Sequence, residues 1–190
     1  MDFESTVLAV APVTHNVKSI MLTRHDDFSF IPGQYSLIGD KKKPFTFTST
    51  PDDAHLEFTV KAVGEFSTQL TQKRQGDTLI VRSPMGDKLN FTEDLENCVF
   101  IAGGSGITPF IAAFRYAAKR KLLHKFLLSY GNRSEQDIIY REELESYSNL
   151  KIVMHRKRMG CYRTEVGKNW INVCLSVMQI WRLQNKNVFS

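Results

Sequence analysis

Apolar and polar residues follow two different patterns along this chain, and the pattern changes near residue 90. Before that point, short runs of β-branched and aromatic residues are separated by turns rich in Gly, Pro and Asp. One run alternates apolar and polar positions, which is typical of a half-buried strand. The predicted strands are Val7–Val10, Val17–Leu22, Tyr35–Ile38, Phe45–Thr48, His55–Lys61 (the alternating run) and Thr78–Val81, and one helix is predicted at Phe66–Arg74. Six short strands at this spacing predict a small antiparallel barrel or sandwich.

Beyond residue 90, compact apolar strands alternate with helical patterns. Strands are predicted at Cys98–Ala102, Phe126–Tyr130 and Leu150–Met154, and helices at Pro109–Lys121 and Glu135–Ser146. This alternation predicts a parallel, doubly wound α/β sheet. We therefore expect two domains, at residues 1–93 and 94–190.

Composition places the chain among ordinary globular proteins, with 42% hydrophobic and 24% charged residues. No run approaches the ~18 apolar residues of a membrane span, so none is expected. The N-terminus shows no secretory signal. The three cysteines lack any C-x-x-C spacing, which argues against a disulfide framework, a zinc site or an iron–sulfur cluster. We expect a cytoplasmic protein without a bound metal.

The net charge of +5 is concentrated in three basic clusters, at Lys41–Lys43, Lys119–Lys121 and Arg156–Arg158. A nucleic-acid-binding barrel is one interpretation, but no nucleic-acid motif accompanies the clusters and no aromatic residues interleave with them. Nucleic acid is therefore not an expected partner. Solvated surface charge and the phosphates of small cofactors are the other two interpretations.

A glycine-rich turn follows the strand Cys98–Ala102. Three glycines, Gly103, Gly104 and Gly106, let the backbone turn sharply and approach a ligand closely. Thr108 suits an N-cap and Pro109 suits the first position of a helix, whose N-terminus favours an anion such as a pyrophosphate. A purely structural turn is the alternative.

Four segments in order resemble motifs of the ferredoxin–NADP reductase-like flavoproteins. They are the flavin motif at Lys43–Pro51, a second flavin motif at Gly64–Ser67, the nicotinamide-nucleotide loop at Gly103–Pro109, and the stretch Asn132–Leu144 after the second strand of the nucleotide domain. The resemblance covers roughly residues 5–155. It implies a flavin-binding barrel followed by an NAD(P)-binding α/β domain.

The resemblance also assigns roles to the flavin motifs. Phe45 would pack against the flavin ring, and Thr46 would hydrogen-bond near N5, the atom that receives hydride. Lys43, beside Pro44, replaces an arginine that contacts the flavin phosphate, and a lysine binds such a group less specifically. Gly64, Phe66, Ser67 and Thr68 would present the start of a helix to the pyrophosphate. The plain alternatives are a core phenylalanine, a strand threonine and a serine that caps the helix.

In the nucleotide domain, Gly104 and Thr108 would position the nicotinamide nucleotide, with Asn132 and Arg133 nearby. Arg156 lies where some relatives bind a 2′-phosphate, which slightly favours NADPH over NADH. The implied activity is a flavin-dependent NAD(P)H oxidoreductase with FAD, or alternatively FMN. It would pass electrons to a separate acceptor such as a ferredoxin, a flavodoxin or a haem protein.

The C-terminal part departs from the family. Residues 160–190 contain no Cys-Gly-Pro-type closing motif, although Cys174 follows a plausible strand at Trp170–Val173. A truncation, a shifted reading frame or a divergent ending would each explain this. An incomplete sheet would leave an unpaired edge that favours a homodimer. The alternative function is a non-catalytic flavin- or nucleotide-binding module, or remnant, that acts through a protein partner.

Overall fold

The computed structural model describes residues 2–95 and 97–156, and the predictions for residues 160–190 lie outside them. The chain forms two compact units. Residues up to Thr92 and Thr108–Lys121 make the first, and Glu93–Ile107 with the chain from Leu122 onward makes the second. A helix beyond residue 93 thus groups with the N-terminal unit. The linear division at residue 93 stays a prediction.

The first unit contains the six predicted strands. They are β1 (Asp2–Thr14), β2 (Val17–Thr23), β3 (Tyr35–Ile38), β4 (Lys43–Thr46), β5 (His55–Lys61) and β6 (Thr78–Arg82), with helix α1 (Glu65–Thr71) between β5 and β6. All pairings are antiparallel, in the order β4-β3-β6-β1-β2-β5. A bridge between Phe47 and Phe58 joins the two ends of this order, which confirms the predicted small antiparallel barrel.

Two strands differ from their predicted limits by more than one residue, and each difference has a physical cause. Strand β1 is longer because its first residues pair with β6 and its later ones with β2, with a register shift between Val7 and Ala9. A short apolar run predicts only part of a strand that continues through a bulge to a second partner. Strand β4 ends at Thr46 because the chain turns towards β5 there: Phe47 still donates to the Gln34 carbonyl but bridges to Phe58, and Thr48 donates to the Glu57 carbonyl.

Aromatic side chains fill the barrel around Phe47, whose side chain is fully buried. Its ring stacks on Phe30 with 4.3 Å between centroids, and the centroids of Phe58 and Phe28 lie at 4.9 and 5.7 Å. Such pairs contribute about 0.5–1.5 kcal/mol beyond the burial of their area. The part of the first flavin motif around Phe47 is therefore fixed by the core.

The second unit has a parallel sheet, as predicted. Its strands are β7 (Cys98–Gly103), β8 (Phe126–Asn132) and β9 (Leu150–Arg156), in the order β7-β8-β9. The prediction of a single helix at Glu135–Ser146 is wrong. A 3-10 turn at Glu135–Asp137 precedes a short helix α3 (Arg141–Ser146), because Tyr140 has φ +55° and a left-handed residue interrupts a right-handed helix.

Helix α2 (Thr108–Lys119) belongs to the first unit and is tied to the barrel by a buried polar network. The Arg115 guanidinium donates to the Thr48 carbonyl at 2.8 Å and to the Glu57 carboxylate at 2.9 Å. The Thr48 hydroxyl donates to the same carboxylate oxygen at 2.9 Å. Glu57 is only 8% exposed, so its charge depends on these donors.

Two further cations have carboxylate partners at the surface of the same unit, Lys119 at the end of α2 and Arg120 directly after it. Lys119 lies 2.9 Å from Asp53, and Arg120 pairs with both oxygens of Asp52 at 2.8 Å. The hydrogen bond from Arg120 lowers the pKa of the Asp52 carboxyl below its usual value of 3.8. This exposed pair therefore stays ionised into the acidic range.

Within the described residues, no helix is long and apolar enough to cross a membrane. The same part of the chain has no group of three or more His, Cys, Asp or Glu side chains arranged to hold a metal ion.

We expect Arg115→Ala to lower the free energy of unfolding of the first unit by about 3–5 kcal/mol, because it leaves the Glu57 carboxylate buried without its cation. The matched control is Arg120→Ala, which breaks an exposed pair and should cost about 0.2–1 kcal/mol. Urea unfolding followed by far-UV circular dichroism measures both. Equal losses in the two variants would contradict the importance of the buried network.

Candidate functional site

The first flavin motif lies on β4, at the end of the strand order. Lys43 and Pro44 are exposed, whereas Phe45 and Thr46 are half-buried. Because successive strand residues point to opposite faces, Thr46 faces away from Phe45. The two side chains can therefore reach one planar group only across the edge of the strand.

The second flavin motif lies at the start of α1. The Ser67 hydroxyl accepts hydrogen bonds from the N–H groups of Gly64 and Val63 at 3.1 and 3.0 Å, and it donates to the Gly64 carbonyl at 3.0 Å. Ser67 thus caps the helix, as its plain alternative role requires. The N–H groups at residues 65–67 have no partner within a helix that begins here, so they can serve an anion. Phe66 and Thr68 are half-buried.

The structure brings the two flavin motifs into contact. The ring centroids of Phe45 and Phe66 lie 6.3 Å apart, and both rings pack against the apolar core of the barrel. Lys41, two residues before the first motif, lies 3.7 Å from Glu65 at the start of α1. Residues about 20 positions apart in sequence therefore form one surface of the first unit.

The glycine loop leaves the carboxyl end of β7, where open α/β sheets bind their ligands. It is a 3-10 turn at Gly104–Ile107 that runs directly into α2, so α2 begins at Thr108 with Pro109 second. The predicted helix start at Pro109 did not include this extra turn. Gly104 has φ +49°, a backbone conformation that favours glycine.

Three other glycines of the motifs are not required by the fold itself. Gly64, Gly103 and Gly106 have ordinary backbone angles, and a Cβ atom at any of them would meet no heavy atom within 4 Å. Elsewhere the reason for a glycine is internal: a Cβ at Gly33 would lie 1.9 Å from the Leu89 carbonyl oxygen. The open space beside the motif glycines fits a ligand that approaches the backbone.

Asn132 ends β8 at the same edge of the sheet as the glycine loop. It is 7% exposed, and neither atom of its amide makes a hydrogen bond of good geometry within the described residues, although the Tyr130 hydroxyl is close enough to interact weakly. A buried polar group without a partner costs about 1–3 kcal/mol, which a bound polar ligand would offset. Arg133 is exposed immediately after it.

Arg156 is the last residue of β9. Its side chain lies outside the described part of the chain, as do Lys157 and Arg158. The role of this basic cluster in the choice between NADPH and NADH stays a prediction.

The sequence analysis missed Tyr130 as a residue of this site. Its hydroxyl donates to the Gly104 carbonyl at 3.0 Å and accepts from the Ile139 N–H at 3.4 Å. Its side chain is completely buried, and burial raises its pKa to about 12. The signal in the sequence that could have indicated this role is a tyrosine in a largely apolar strand. A buried tyrosine hydroxyl usually has a hydrogen-bond partner.

The chain is similar in sequence and in fold to known oxidoreductase proteins. Residues 100–170 match the oxidoreductase NAD-binding domain. The chain is 26% identical to the gamma subunit of sulfhydrogenase 2 of Pyrococcus furiosus over 85% of its length, and 27% identical to the ferredoxin–NAD(P)(+) reductase component of the naphthalene 1,2-dioxygenase system of Pseudomonas putida over 74%. The aligned regions span 57% and 45% of these relatives, so the chain covers about half their length.

Among solved structures, the chain resembles a ferredoxin NADP+ reductase of Neisseria gonorrhoeae determined with bound FAD and NADP. The TM-score is 0.71 at 19% identity, over 94% of this chain and 79% of the other. At this identity the likeness shows the fold. It confirms the barrel and the α/β domain. The domain match and the reductase component among the relatives confirm the resemblance drawn from the motifs.

We expect Gly106→Ala to keep the stability of the chain within about 1 kcal/mol, because its backbone conformation suits alanine. The same change should weaken nucleotide binding about tenfold, corresponding to about 1.4 kcal/mol, because the Cβ atom occupies the open space at the loop. Calorimetric titration with NADP+ and NAD+ measures the affinity.

The matched control is Gly76→Ala, at a turn with φ +91° outside all four motifs. This variant should be less stable yet bind the nucleotide normally. Unchanged affinity in Gly106→Ala would remove Gly106 from the site.

Proposed function

We propose that this ferredoxin–NADP reductase-like chain is a flavin-dependent NAD(P)H oxidoreductase, which passes a hydride from NAD(P)H to bound FAD and then electrons to a separate acceptor. The observation that carries the proposal is the open space beside Gly64, Gly103 and Gly106. The fold does not need glycine at these positions, but backbone contact with a pyrophosphate does. Gly64 lies in the second flavin motif, and Gly103 and Gly106 lie in the nicotinamide-nucleotide loop.

In the first unit, the residues of both flavin motifs hold the cofactor in this proposal. Phe45 and Phe66 offer adjoining aromatic surface, Lys43 with the N–H groups at the start of α1 binds the phosphates, and Thr46 orients the ring near N5. FAD is favoured over FMN because the neighbouring reductase was determined with FAD. The bound flavin would supply the redox chemistry, accepting a hydride and releasing electrons to the acceptor.

In the second unit, Gly103, Gly104 and Gly106 present backbone to the nucleotide in this proposal. Thr108 and Pro109, which follow them in sequence as the first residues of α2, complete the loop motif. The buried Asn132 amide offers both a donor and an acceptor to a polar group of the nucleotide. Arg133 adds a positive charge beside it. Arg156 would favour NADPH by contacting a 2′-phosphate.

The acceptor in this proposal is a protein. A relative that matches this chain is the reductase component of a dioxygenase system, and its name pairs it with ferredoxin. A ferredoxin, a flavodoxin or a haem protein would each accept electrons from a reduced flavin. Cytoplasm is the proposed compartment. A homodimer through the outer edge of β9 is a further part of the proposal, supported by the half-exposed side chains of Val153 and Met154.

The second candidate function is a flavin- or nucleotide-binding module without turnover. The lack of a Cys-Gly-Pro-type closing motif in residues 160–190 favours it. One experiment separates the two candidates. It is anaerobic reduction of the purified chain, reconstituted with FAD or FMN, by NADPH and by NADH.

We expect a yellow protein whose visible absorbance bleaches with nicotinamide nucleotide, and faster with NADPH. Bleaching followed by reoxidation with added ferredoxin, flavodoxin or cytochrome would identify the acceptor class. A yellow protein that does not bleach would establish the non-catalytic module instead. A protein that retains neither flavin would exclude the reductase and the flavin-binding form of the module.

We expect Phe45→Ala to release flavin at least about tenfold more readily, because it removes aromatic surface worth about 1–2 kcal/mol against a planar ring. Phe45 also packs on the barrel core, so Phe45→Leu is needed to separate stacking from packing. Phe45→Leu should fold normally and still lose flavin, whereas Phe45→Tyr should retain it. Flavin fluorescence after gel filtration measures retention, and normal retention in the leucine variant would remove Phe45 from the site.

A further inference from the structure

Tyr130 joins two segments at the carboxyl edge of the parallel sheet. Strand β8 alternates buried and half-buried residues, and Tyr130 points to its buried side. In register it pairs with Ala102 of β7, directly before the glycine loop. Its hydroxyl thereby reaches the carbonyl of Gly104 in the loop and the N–H of Ile139 in the segment that follows β8.

Both hydrogen-bonding functions of this hydroxyl are used. Burying a hydroxyl without partners is costly, and a phenylalanine would pack in the same space without that cost. The hydroxyl therefore has a role in hydrogen bonding that is separate from the packing of the ring. Since burial raises its pKa to about 12, it remains a donor throughout the neutral range.

The backbone conformation of Gly104 is one that such a hydrogen bond can restrain. A glycine adopts left- and right-handed conformations with similar ease, so the sequence alone does not fix the loop at φ +49°. A Cβ atom at Gly104 would meet no heavy atom within 4 Å, so steric crowding beside its Cα does not impose this conformation. The hydrogen bond from Tyr130 to its carbonyl selects one orientation of the peptide that follows.

We propose that Tyr130 is a positioning residue, which holds the glycine loop in its nucleotide-binding conformation by bridging the Gly104 carbonyl and the Ile139 N–H. The inference rests on the proposed function in that the loop binds a nicotinamide nucleotide. In this role Tyr130 acts through the loop, by its hydrogen bonds to Gly104 and Ile139. A preorganised loop spares the ligand the cost of ordering it.

The test compares Tyr130→Phe with Tyr147→Phe. Tyr147 lies in the same unit, and its hydroxyl donates to Glu143 at 2.7 Å on α3, so the control removes a comparable hydrogen bond away from the loop. In Tyr130→Phe we expect the Kd and KM for the nucleotide to rise about 3- to 10-fold, the equivalent of one hydrogen bond. The kcat at saturation and flavin retention should stay within about twofold of the parent. Tyr147→Phe should change none of these quantities.

Amide hydrogen exchange of the ligand-free chain tests the restraint without any nucleotide. Tyr130→Phe should accelerate exchange at residues 103–107 and at Ile139 at least about threefold, whereas Tyr147→Phe should not. Unchanged exchange and unchanged Kd in Tyr130→Phe would overturn the inference. Equal effects in the two variants would also overturn it, because they would reflect a general loss of stability.

If the parent chain binds neither NADP+ nor NAD+, the proposed function fails for this loop. The exchange measurement still decides whether Tyr130 orders it. The two failures are therefore distinguishable.

Discussion

The stacking of Phe47 in the barrel core is the interaction on which the arrangement of the first unit depends. Its ring lies between Phe30, Phe28 and Phe58, and its backbone bridges to Phe58, so a single residue closes the strand order and fills the centre. Phe47 lies within the first flavin motif, directly after Thr46. Because Phe47 is immobilised on all sides, the preceding strand has little freedom, and Phe45 is held against Phe66 of α1. The surface proposed to bind flavin is thus a consequence of how the core packs.

Much of this organisation could be predicted from the sequence, because it depends on local patterns. The alternation in His55–Lys61 gave a strand with those same limits, and the strand–helix alternation after residue 90 gave a parallel sheet. Errors arose where long-range contacts override local preference. Strand β1 changes partners at a bulge, and Tyr140 interrupts a helix that its neighbours favour. Neither event leaves a distinct signal in a window of neighbouring residues.

The candidate site likewise contains some residues that the sequence predicts and others that only the fold shows. Glycine motifs are visible in a sequence because glycine is conspicuous, and their order along the chain is what carried the family resemblance. The buried amide of Asn132 and the bridging hydroxyl of Tyr130 could not be predicted in this way. Their roles depend on burial and on which groups of other segments lie nearby. A sequence shows that a tyrosine is present, but only the fold shows that its hydroxyl is enclosed. Whether a polar group lacks a partner is likewise a property of three-dimensional packing.

The ion pairs of α2 also change how the charge of the chain should be understood. Lys119 and Arg120 belong to one of the basic clusters, yet both lie against the carboxylates of Asp53 and Asp52. Charges neutralised at such short range contribute little to the field felt at a Debye length of ~10 Å in 0.1 M salt. An acidic acceptor protein would therefore gain little electrostatic steering from this helix. Its rate of encounter at that face should depend only weakly on ionic strength, despite the basic appearance of the sequence.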